Sequence, residues 1–189
     1  MPQARIVCVE CDPRPLSRFM LRDDPRVQLI EAAVFHRDNQ TLTFYQSGGE
    51  IPGSIAPCAK DWDYSGSVCK PTGHLIRDTR IKFEKTIQVQ AVALDWLYES
   101  RRPPFATLYY MDYIHADLQG GEARMILGGQ ETLRQTRFLY VEYYDHELYE
   151  RQADLKALLS FLPDWSLVGI YGENALFKNR EVSIAAVFP

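Results

Sequence analysis

The residues best suited to chemistry are carboxylates that stand where predicted strands end. Asp117 closes a short apolar run at residues 113–116, and Gly120 and Gly121 follow it before a predicted helix begins at Glu122. In a parallel α/β sheet, ligands bind in the crevice outside the carboxyl ends of the strands. A carboxylate there can hold an amine or sulfonium group, or a hydroxyl that is about to lose its proton. Asp117 is therefore the first candidate catalytic residue, with capping of the following helix as the alternative.

Two further carboxylates end predicted strands. Glu10 follows the apolar run 5–9, and Glu142 ends the run 138–142. In nucleotide-binding α/β folds an acidic strand end takes a ribose hydroxyl pair, because a carboxylate accepts two hydrogen bonds side by side. Glu10 fits that role, and an ordinary surface carboxylate is the alternative. We expect Glu142 to line the same crevice as Asp117, so that all three carboxylates share one rim of a sheet.

Histidines and aromatic residues near these carboxylates are candidates for handling a substrate. His115 precedes Asp117 by two residues, which places both on one face of a strand, and a histidine that titrates near neutral pH can act as a general base. His146 lies in a tyrosine-rich loop after Glu142, and Trp62 lies in an irregular segment. Both are candidates for a substrate wall. Simple packing is the alternative for each of the three.

Composition indicates one globular domain over residues 1–189, since 46% of the residues are hydrophobic and 24% are charged. The net charge of -4 gives no basic surface for nucleic acid, and no apolar run approaches the ~20 residues of a membrane span. The first residues lack a secretion-type segment, which predicts a cytoplasmic protein. The four cysteines are expected to be reduced thiols without a metal, since their spacing is not the paired spacing of a zinc site. A zinc site that includes His74 is the weaker alternative.

Strand and helix signals alternate along the chain. Apolar runs predict strands at residues 5–9, 27–35, 41–46, 87–92, 113–116, 138–142, 167–171, 175–178 and 182–188, and helices at 94–100, 122–135 and 155–162. Another short helix, with Leu16, Phe19 and Met20 on its apolar face, is predicted to begin at the capping carboxylate Asp12 and Pro13. Such alternation predicts βαβ units in a mostly parallel sheet of a three-layer α/β domain, with an antiparallel edge where strands bunch at the C-terminal end. Residues 47–85, rich in glycine and proline, are predicted to be an irregular insertion or a lid.

In combination these pieces resemble the FkbM family of S-adenosylmethionine-dependent methyltransferases. The family shows a strand ending in Glu-Pro-x-Pro, an Ala-Val pair, an Asp-Val-Glu-Gly-x-Glu turn, a Val-Leu-x-Gly helix end, a strand ending in Glu, and Asn-x-Leu-Phe-x-Asn. The corresponding residues here are 10–13, 33–34, 117–122, 126–128, 141–142 and 174–179. The turn matches at Asp117, Gly120 and Glu122, and the similarity runs in the family's order along nearly the whole chain.

The resemblance implies a Rossmann-like class I methyltransferase that transfers a methyl group from S-adenosylmethionine to a hydroxyl of a small molecule or sugar. It implies that Glu10 holds the cofactor ribose, that Ala32 and Ala33 flank the adenine, and that Asp117 sits by the methionine end and the acceptor. His115, Glu142 and His146 are then candidates for orienting or deprotonating the hydroxyl. The residues assigned to substrate binding are Glu122, His146 and Trp62.

Two departures from the family leave alternatives open. His115 and Gln119 stand where the family usually has Lys and Glu. The family also has an earlier strand, a glycine-rich turn and a helix before the strand that ends here in Glu10, so we expect an N-terminally truncated domain with an open sheet edge. A longer protein, a second copy or another chain is expected to cover that edge. The alternatives are a non-catalytic remnant acting as a binding or interaction module, and a different nucleotide-using transferase.

Overall fold

The computed structural model describes residues 4–19, 23–99 and 110–182, which form a mixed α/β fold. The strands are β1 (Ile6–Glu10), β2 (Val27–Glu31), β3 (Ala33–Phe35), β4 (Thr41–Gly48), β5 (Lys82–Ala93), β6 (Met111–Ala116), β7 (Thr136–Glu142), β8 (Trp165–Tyr171) and β9 (Asn174–Asn179). The helices are α1 (Pro13–Ser17), α2 (His74–Arg77), α3 (Leu94–Glu99), α4 (Glu122–Leu127), α5 (Gln130–Arg134) and α6 (Leu155–Phe161).

The strands form three sheets rather than the single sheet predicted from the sequence. Their orders are β1-β2, β3-β5-β4 and β6-β7-β9-β8. The pairs β1–β2, β3–β5 and β6–β7 are parallel, whereas β4–β5, β7–β9 and β8–β9 are antiparallel. The antiparallel C-terminal edge is thus confirmed, but a mostly parallel sheet is not found among the described residues. β1, which ends in Glu10, and β6, which Asp117 follows, belong to different sheets.

Two predicted elements are interrupted by short breaks in the backbone. The predicted strand 27–35 divides at Ala32, because β2 pairs with β1 whereas β3 pairs with β5. The predicted helix 122–135 divides into α4 and α5 at Gly128 and Gly129. Glycine inside a helix costs about 1 kcal/mol relative to alanine, and two in succession favour a break. A Cβ at position 128 would also lie 2.4 Å from the carbonyl oxygen of Phe35, so the backbones meet there.

The main core lies between the β6-β7-β9 strands and helices α4 to α6. Its fully buried members include Ile126, Leu139, Val141, Leu158 and Phe177. Leu139 and Val141 lie on the same face of β7, and Phe177 on β9 is the direct partner of Leu139. Burial of each such side chain contributes about 1.5–3 kcal/mol, so this cluster fixes β6 and β7 in register.

The predicted start of the first helix at Asp12 and Pro13 is confirmed, although α1 ends at Ser17. Asp12 caps α1 and accepts the N–H of Arg14 at 3.0 Å, and Pro13 follows at the first helical position. Asp154 caps α6 and accepts the N–H of Ala157 at 2.7 Å. Local sequence therefore determines where these two helices begin.

The segment between β4 and β5 is irregular apart from α2. Isolated bridges join Tyr45 to Ser67 and Pro71 to Tyr149, so the segment is tied both to β4 and to the loop after β7. The predicted irregular range 47–85 was too wide, since β4 extends to Gly48 and β5 begins at Lys82. The predicted strand at 182–188 falls almost entirely outside the described residues. Among those described, no helix has the length and apolar character needed to cross a bilayer.

We expect the substitution Gly128→Ala to destabilise the protein by about 2–3 kcal/mol, because its methyl group has to displace the Phe35 carbonyl. Leu127→Ala introduces the same residue at an exposed neighbouring position and should cost less than about 1 kcal/mol. Urea unfolding of the two variants measures the difference. An unchanged midpoint for Gly128→Ala would contradict the close contact between α4 and the end of β3.

Candidate active site

A cavity of about 270 Å³ lies where the end of β1, the junction of β2 and β3, the irregular segment and the end of β6 meet. Its walls are mainly apolar, with several carboxylates among them. The lining residues are Val9, Glu10, Cys11, Asp12, Pro15, Ala32, Ala33, Val34, Phe44, Asp63, Tyr64, Gly66, Ser67, Val68, Asp117, Leu118 and Gln119.

All four residues predicted to bind the cofactor line this one cavity, namely Glu10, Ala32, Ala33 and Asp117. They come from three different places in the chain and from more than one sheet. Ala32 and Ala33 are buried at the break between β2 and β3, where small side chains leave room beside the backbone. The structure thus places these side chains together, while their roles remain predictions.

Glu10 turns its carboxylate back onto the loop that follows β1. Its Oε1 accepts the N–H groups of Cys11 at 2.6 Å and Asp12 at 2.7 Å. Its Oε2 makes no hydrogen bond to the described residues, and so remains available for a ligand hydroxyl. Burial raises the pKa of Glu10, and the two backbone hydrogen bonds oppose that rise. The carboxylate is therefore oriented before any ligand binds.

Asp117 and Glu142 are joined through the side-chain amide of Gln119. The amide Nε2 donates to Asp117 Oδ1 at 2.7 Å and to Glu142 Oε2 at 2.6 Å. The hydroxyl of Tyr144 donates to Glu142 Oε1 at 2.8 Å. Asp117 is exposed and lines the cavity together with Gln119, whereas Glu142 is half-buried and not part of the lining. Asp117 and Glu142 therefore lie close together, but only Asp117 belongs to the lining of the cavity.

Glu142 favours its neutral form in this arrangement. Burial raises the pKa of Glu142 to about 9, and the nearby charge of Asp117 adds to the rise. The hydrogen bond from Tyr144 opposes it without cancelling it. Two linked carboxyl groups resist carrying two negative charges, and burial makes Glu142 the one that keeps its proton near neutral pH.

Gln119 is a site residue that the sequence marked only as a departure from the family. It adopts a left-handed backbone with φ of 50°, and Gly120 follows with φ of 91°. The hydroxyl of Ser67 donates to the Gln119 carbonyl at 2.7 Å, and the Tyr149 hydroxyl lies 2.8 Å from Gln119 Oε1. Tyr149 is fully buried and also lies 2.8 Å from the Ser65 carbonyl oxygen. No periodic pattern pointed to Tyr149 because it lies outside any helix or strand.

Glu122 holds the turn after β6 instead of facing the cavity. Its Oε1 accepts the N–H of Leu118 at 2.8 Å and the N–H of Gly120 at 3.3 Å. Burial raises the pKa of Glu122 to about 7, and these backbone hydrogen bonds oppose the rise. Its predicted contact with substrate gains no support from the lining of the cavity, which does not include it.

The remaining predicted residues lie outside the lining of the cavity. His115 is exposed on β6, with its ring 5.3 Å from that of Tyr140. His146 contacts the guanidinium of Arg77. The Nε1–H group of Trp62 donates to Ser65 Oγ at 2.9 Å. The residues that follow Trp62 in sequence, Asp63 and Tyr64, do line the cavity. Substrate roles for His115, His146 and Trp62 stay predictions.

The cysteines of the chain are free thiols. Cys69 Sγ lies 3.0 Å from Nη1 of Arg124 and 3.4 Å from the carbonyl oxygen of Gly120. Within residues 4–19, 23–99 and 110–182, no group of three or more His, Cys, Asp or Glu side chains is placed to hold a metal ion.

These features are typical of one class of protein. A partly apolar cavity borders the carboxyl ends of β1 and β6, and its lining includes Glu10, whose carboxylate is oriented by backbone N–H groups, and Asp117. That combination is typical of α/β proteins that bind a nucleoside-containing cofactor.

The chain belongs to the FkbM methyltransferase family, since the model of the methyltransferase FkbM domain matches residues 3–168. It is 41% identical over 189 residues to the 2-O-methyltransferase NoeI of Sinorhizobium fredii (strain NBRC 101917 / NGR234), a match that covers 96% of this chain and 72% of NoeI. No solved structure gives a significant match. The resemblance inferred from the sequence is thereby confirmed.

We expect Glu142→Gln to flatten the dependence of stability on pH. The pKa of Glu142 is higher in the folded than in the unfolded state. Its contribution to the free energy of unfolding is therefore complete at acidic pH and is lost as pH rises toward about 9. Glutamine cannot ionise, and its one oxygen can accept from Gln119 Nε2 while its NH2 group donates to the hydroxyl oxygen of Tyr144. From pH 6 to pH 9 the wild type should lose about 1–3 kcal/mol more than this variant, allowing for partial exposure.

Urea unfolding at both pH values measures this loss, with Glu150→Gln as the control because Glu150 is exposed. Ionisation of Glu122 also lowers the stability of every variant as pH rises, so its effect cancels when the variants are compared. Equal slopes for Glu142→Gln and the wild type would show that Glu142 is already ionised at neutral pH.

Proposed function

We propose that this methyltransferase binds S-adenosylmethionine in the cavity beside Glu10 and transfers the methyl group to a hydroxyl of a small molecule or sugar next to Asp117. Members of this family generally depend on S-adenosylmethionine, and NoeI is named as a 2-O-methyltransferase. We also propose that the three sheets together correspond to a Rossmann-like three-layer sandwich. The parallel pairs β1–β2 and β6–β7 and the antiparallel C-terminal edge support that proposal.

The observation that carries the proposal is the shared lining of one cavity by Glu10 and Asp117, which lie 107 positions apart in the sequence and at the ends of strands from separate sheets. The free Oε2 of Glu10 suits the hydroxyl pair of a ribose. Ala32, Ala33 and Phe44 supply apolar surface that suits a purine ring. The cavity volume of about 270 Å³ is near the lower end of ligand pockets, which begin at roughly 300 Å³, and is suited to the adenosyl part.

The bound cofactor would supply an electrophilic methyl group, and the chain's residues would position the acceptor and receive its proton. The acceptor hydroxyl would take the methyl group that the cofactor releases from its sulfur, and it would give up its proton to a residue of this chain. Asp117 is the exposed carboxylate of the bridged pair and takes the proton, since Glu142 already holds one. Gln119 fixes the orientation of Asp117, so alignment of the acceptor is the main contribution of the protein.

We expect Glu10→Gln to weaken S-adenosylmethionine binding by about 10- to 100-fold in calorimetric titration. The amide oxygen of glutamine can keep the hydrogen bonds from the N–H groups of Cys11 and Asp12, while its NH2 group replaces the oxygen that is proposed to accept from the ribose. Glu31→Gln is the control, because Glu31 is exposed and pairs directly with Glu10 on β2. No heat from the wild type at millimolar cofactor would instead favour a non-catalytic binding module.

We expect Asp117→Asn to lower methyl transfer at saturating cofactor by at least about 100-fold, because the amide cannot accept the proton. Release of S-adenosylhomocysteine with a panel of sugars and small hydroxyl compounds measures transfer. Asp112→Asn is the control, since Asp112 is exposed on the same strand and bonds to Arg137. Full activity in Asp117→Asn would remove Asp117 from the reaction.

A further inference from the structure

The hydroxyl of Tyr149 lies at the far end of the bridge that joins Asp117 to Glu142. It is 2.8 Å from Gln119 Oε1, whereas Gln119 Nε2 donates to both carboxyl groups. Tyr149 has 0% of its surface exposed, and it does not belong to the lining of the cavity. Tyr149 therefore reaches the exposed Asp117 through Gln119 and not by contact with a ligand.

The proton of this hydroxyl has two acceptors within reach. Gln119 Oε1 and the carbonyl oxygen of Ser65 each lie 2.8 Å away, and a hydroxyl has one proton to donate. The reverse orientation of the Gln119 amide would leave that proton to Ser65. It would also set the amide oxygen about 2.7 Å from Asp117 Oδ1, and an ionised carboxylate has no proton to place between them. With Asp117 ionised, the tyrosine proton therefore belongs to Gln119.

The ring of Tyr149 is held on several sides, which gives its hydroxyl a fixed position. The ring centroids of His74 and Phe83 lie 5.0 Å and 6.5 Å from that of Tyr149, both in edge contact. The backbone of Gly120 packs against Tyr149, since an ideal Cβ at position 120 would lie 2.8 Å from Tyr149 Cβ. Gln152 Oε1 accepts the N–H of Tyr149 at 3.3 Å. Burial also raises the pKa of Tyr149, so the hydroxyl keeps its proton at neutral pH.

We propose that Tyr149 is a positioning residue, whose hydroxyl anchors the Gln119 amide so that this amide holds Asp117 and Glu142 in place. The consequence for catalysis rests on the proposed function, in which Asp117 takes the acceptor proton. Loss of the hydroxyl would leave Gln119 Oε1 buried without a donor, and a buried polar atom favours a conformation in which it finds a partner. The amide would then turn away, and Asp117 would lose the N–H group that orients it.

The substitution Tyr149→Phe removes the hydroxyl and keeps the ring. We expect the side-chain amide protons of Gln119 to exchange with water at least about 10-fold faster in this variant, because the anchored conformation loses a hydrogen bond. Nuclear magnetic resonance of the whole chain measures this exchange without any substrate. Tyr143→Phe is the matched control, because Tyr143 is also buried but packs in the main core. Unchanged exchange in Tyr149→Phe would overturn the anchoring role.

Methyl transfer then separates positioning from a general effect on the fold. At saturating cofactor, Tyr149→Phe should lower kcat by about 10- to 100-fold, since misplacement of a catalytic group by about 1 Å can cost that much. Gln119→Met removes the bridge itself while keeping an unbranched side chain. In that background Tyr149→Phe should change kcat by less than about threefold, because two residues that act through one contact are not additive. An equal loss in both backgrounds would overturn the proposal.

The two measurements fail separately. Absence of transfer by the wild type with every acceptor would overturn the proposed function, and amide exchange would still decide whether Tyr149 anchors Gln119. If Tyr149→Phe loses cooperative melting, the spectrum of the wild type decides instead. Nuclear Overhauser contacts from the hydroxyl proton of Tyr149 to the side chain of Gln119 would support the anchor, whereas contacts to Ser65 alone would overturn it.

Discussion

The turn after β6 depends on a carboxylate that is almost fully removed from solvent. Glu122 accepts the N–H groups of Leu118 and Gly120, and so satisfies a backbone that leaves the strand through two successive left-handed residues. Gln119, between those two N–H groups, is thereby aimed at Asp117. A side chain at position 120 would meet Tyr149, which approaches to 2.8 Å from an ideal Cβ. The position of the proposed proton acceptor thus follows from how one short turn is bonded.

The cavity forms where separate sheets meet. Among the described strands, none pairs the β1-β2 sheet with the four-stranded sheet. The wall beside Glu10 belongs to the β1-β2 sheet, and the wall beside Asp117 belongs to the four-stranded sheet. The irregular segment joins them, since Ser67 pairs with β4 through Tyr45 and bonds to the Gln119 carbonyl. The segment therefore connects the two sides of the cavity and also forms part of its lining, with polar atoms of its own loops.

Acidic side chains crowd this region, and the protein manages their charge in three ways. Glu142 retains a proton because burial and Asp117 raise its pKa to about 9. Asp12 and Asp63 each meet an arginine, Arg14 and Arg18 respectively. Glu10 directs one oxygen to backbone N–H groups. Such compensation lets carboxylates stand close together around the cavity, and it limits the mutual repulsion that several free negative charges would produce.

Local pattern in the sequence determined the elements that depend on near neighbours. The caps at Asp12 and Asp154, the amphipathic helix α6 and the strand ends at Glu10 and Glu142 follow from capping chemistry and hydrophobic periodicity, which act over a few residues. The family motif also anticipated that Glu10, Ala32, Ala33 and Asp117 would meet.

Only the tertiary structure decided features that depend on distant partners. The division into three sheets, the close approach of Gly128 to Phe35 and the burial of Tyr149 and Asp63 depend on which backbone or side chain arrives from elsewhere. Glu122 shows the difference most clearly. As a residue type it suits a substrate site or a helix start, and its burial and its bonds to Leu118 and Gly120 assign it to the turn, because burial is a property of packing that no local pattern encodes.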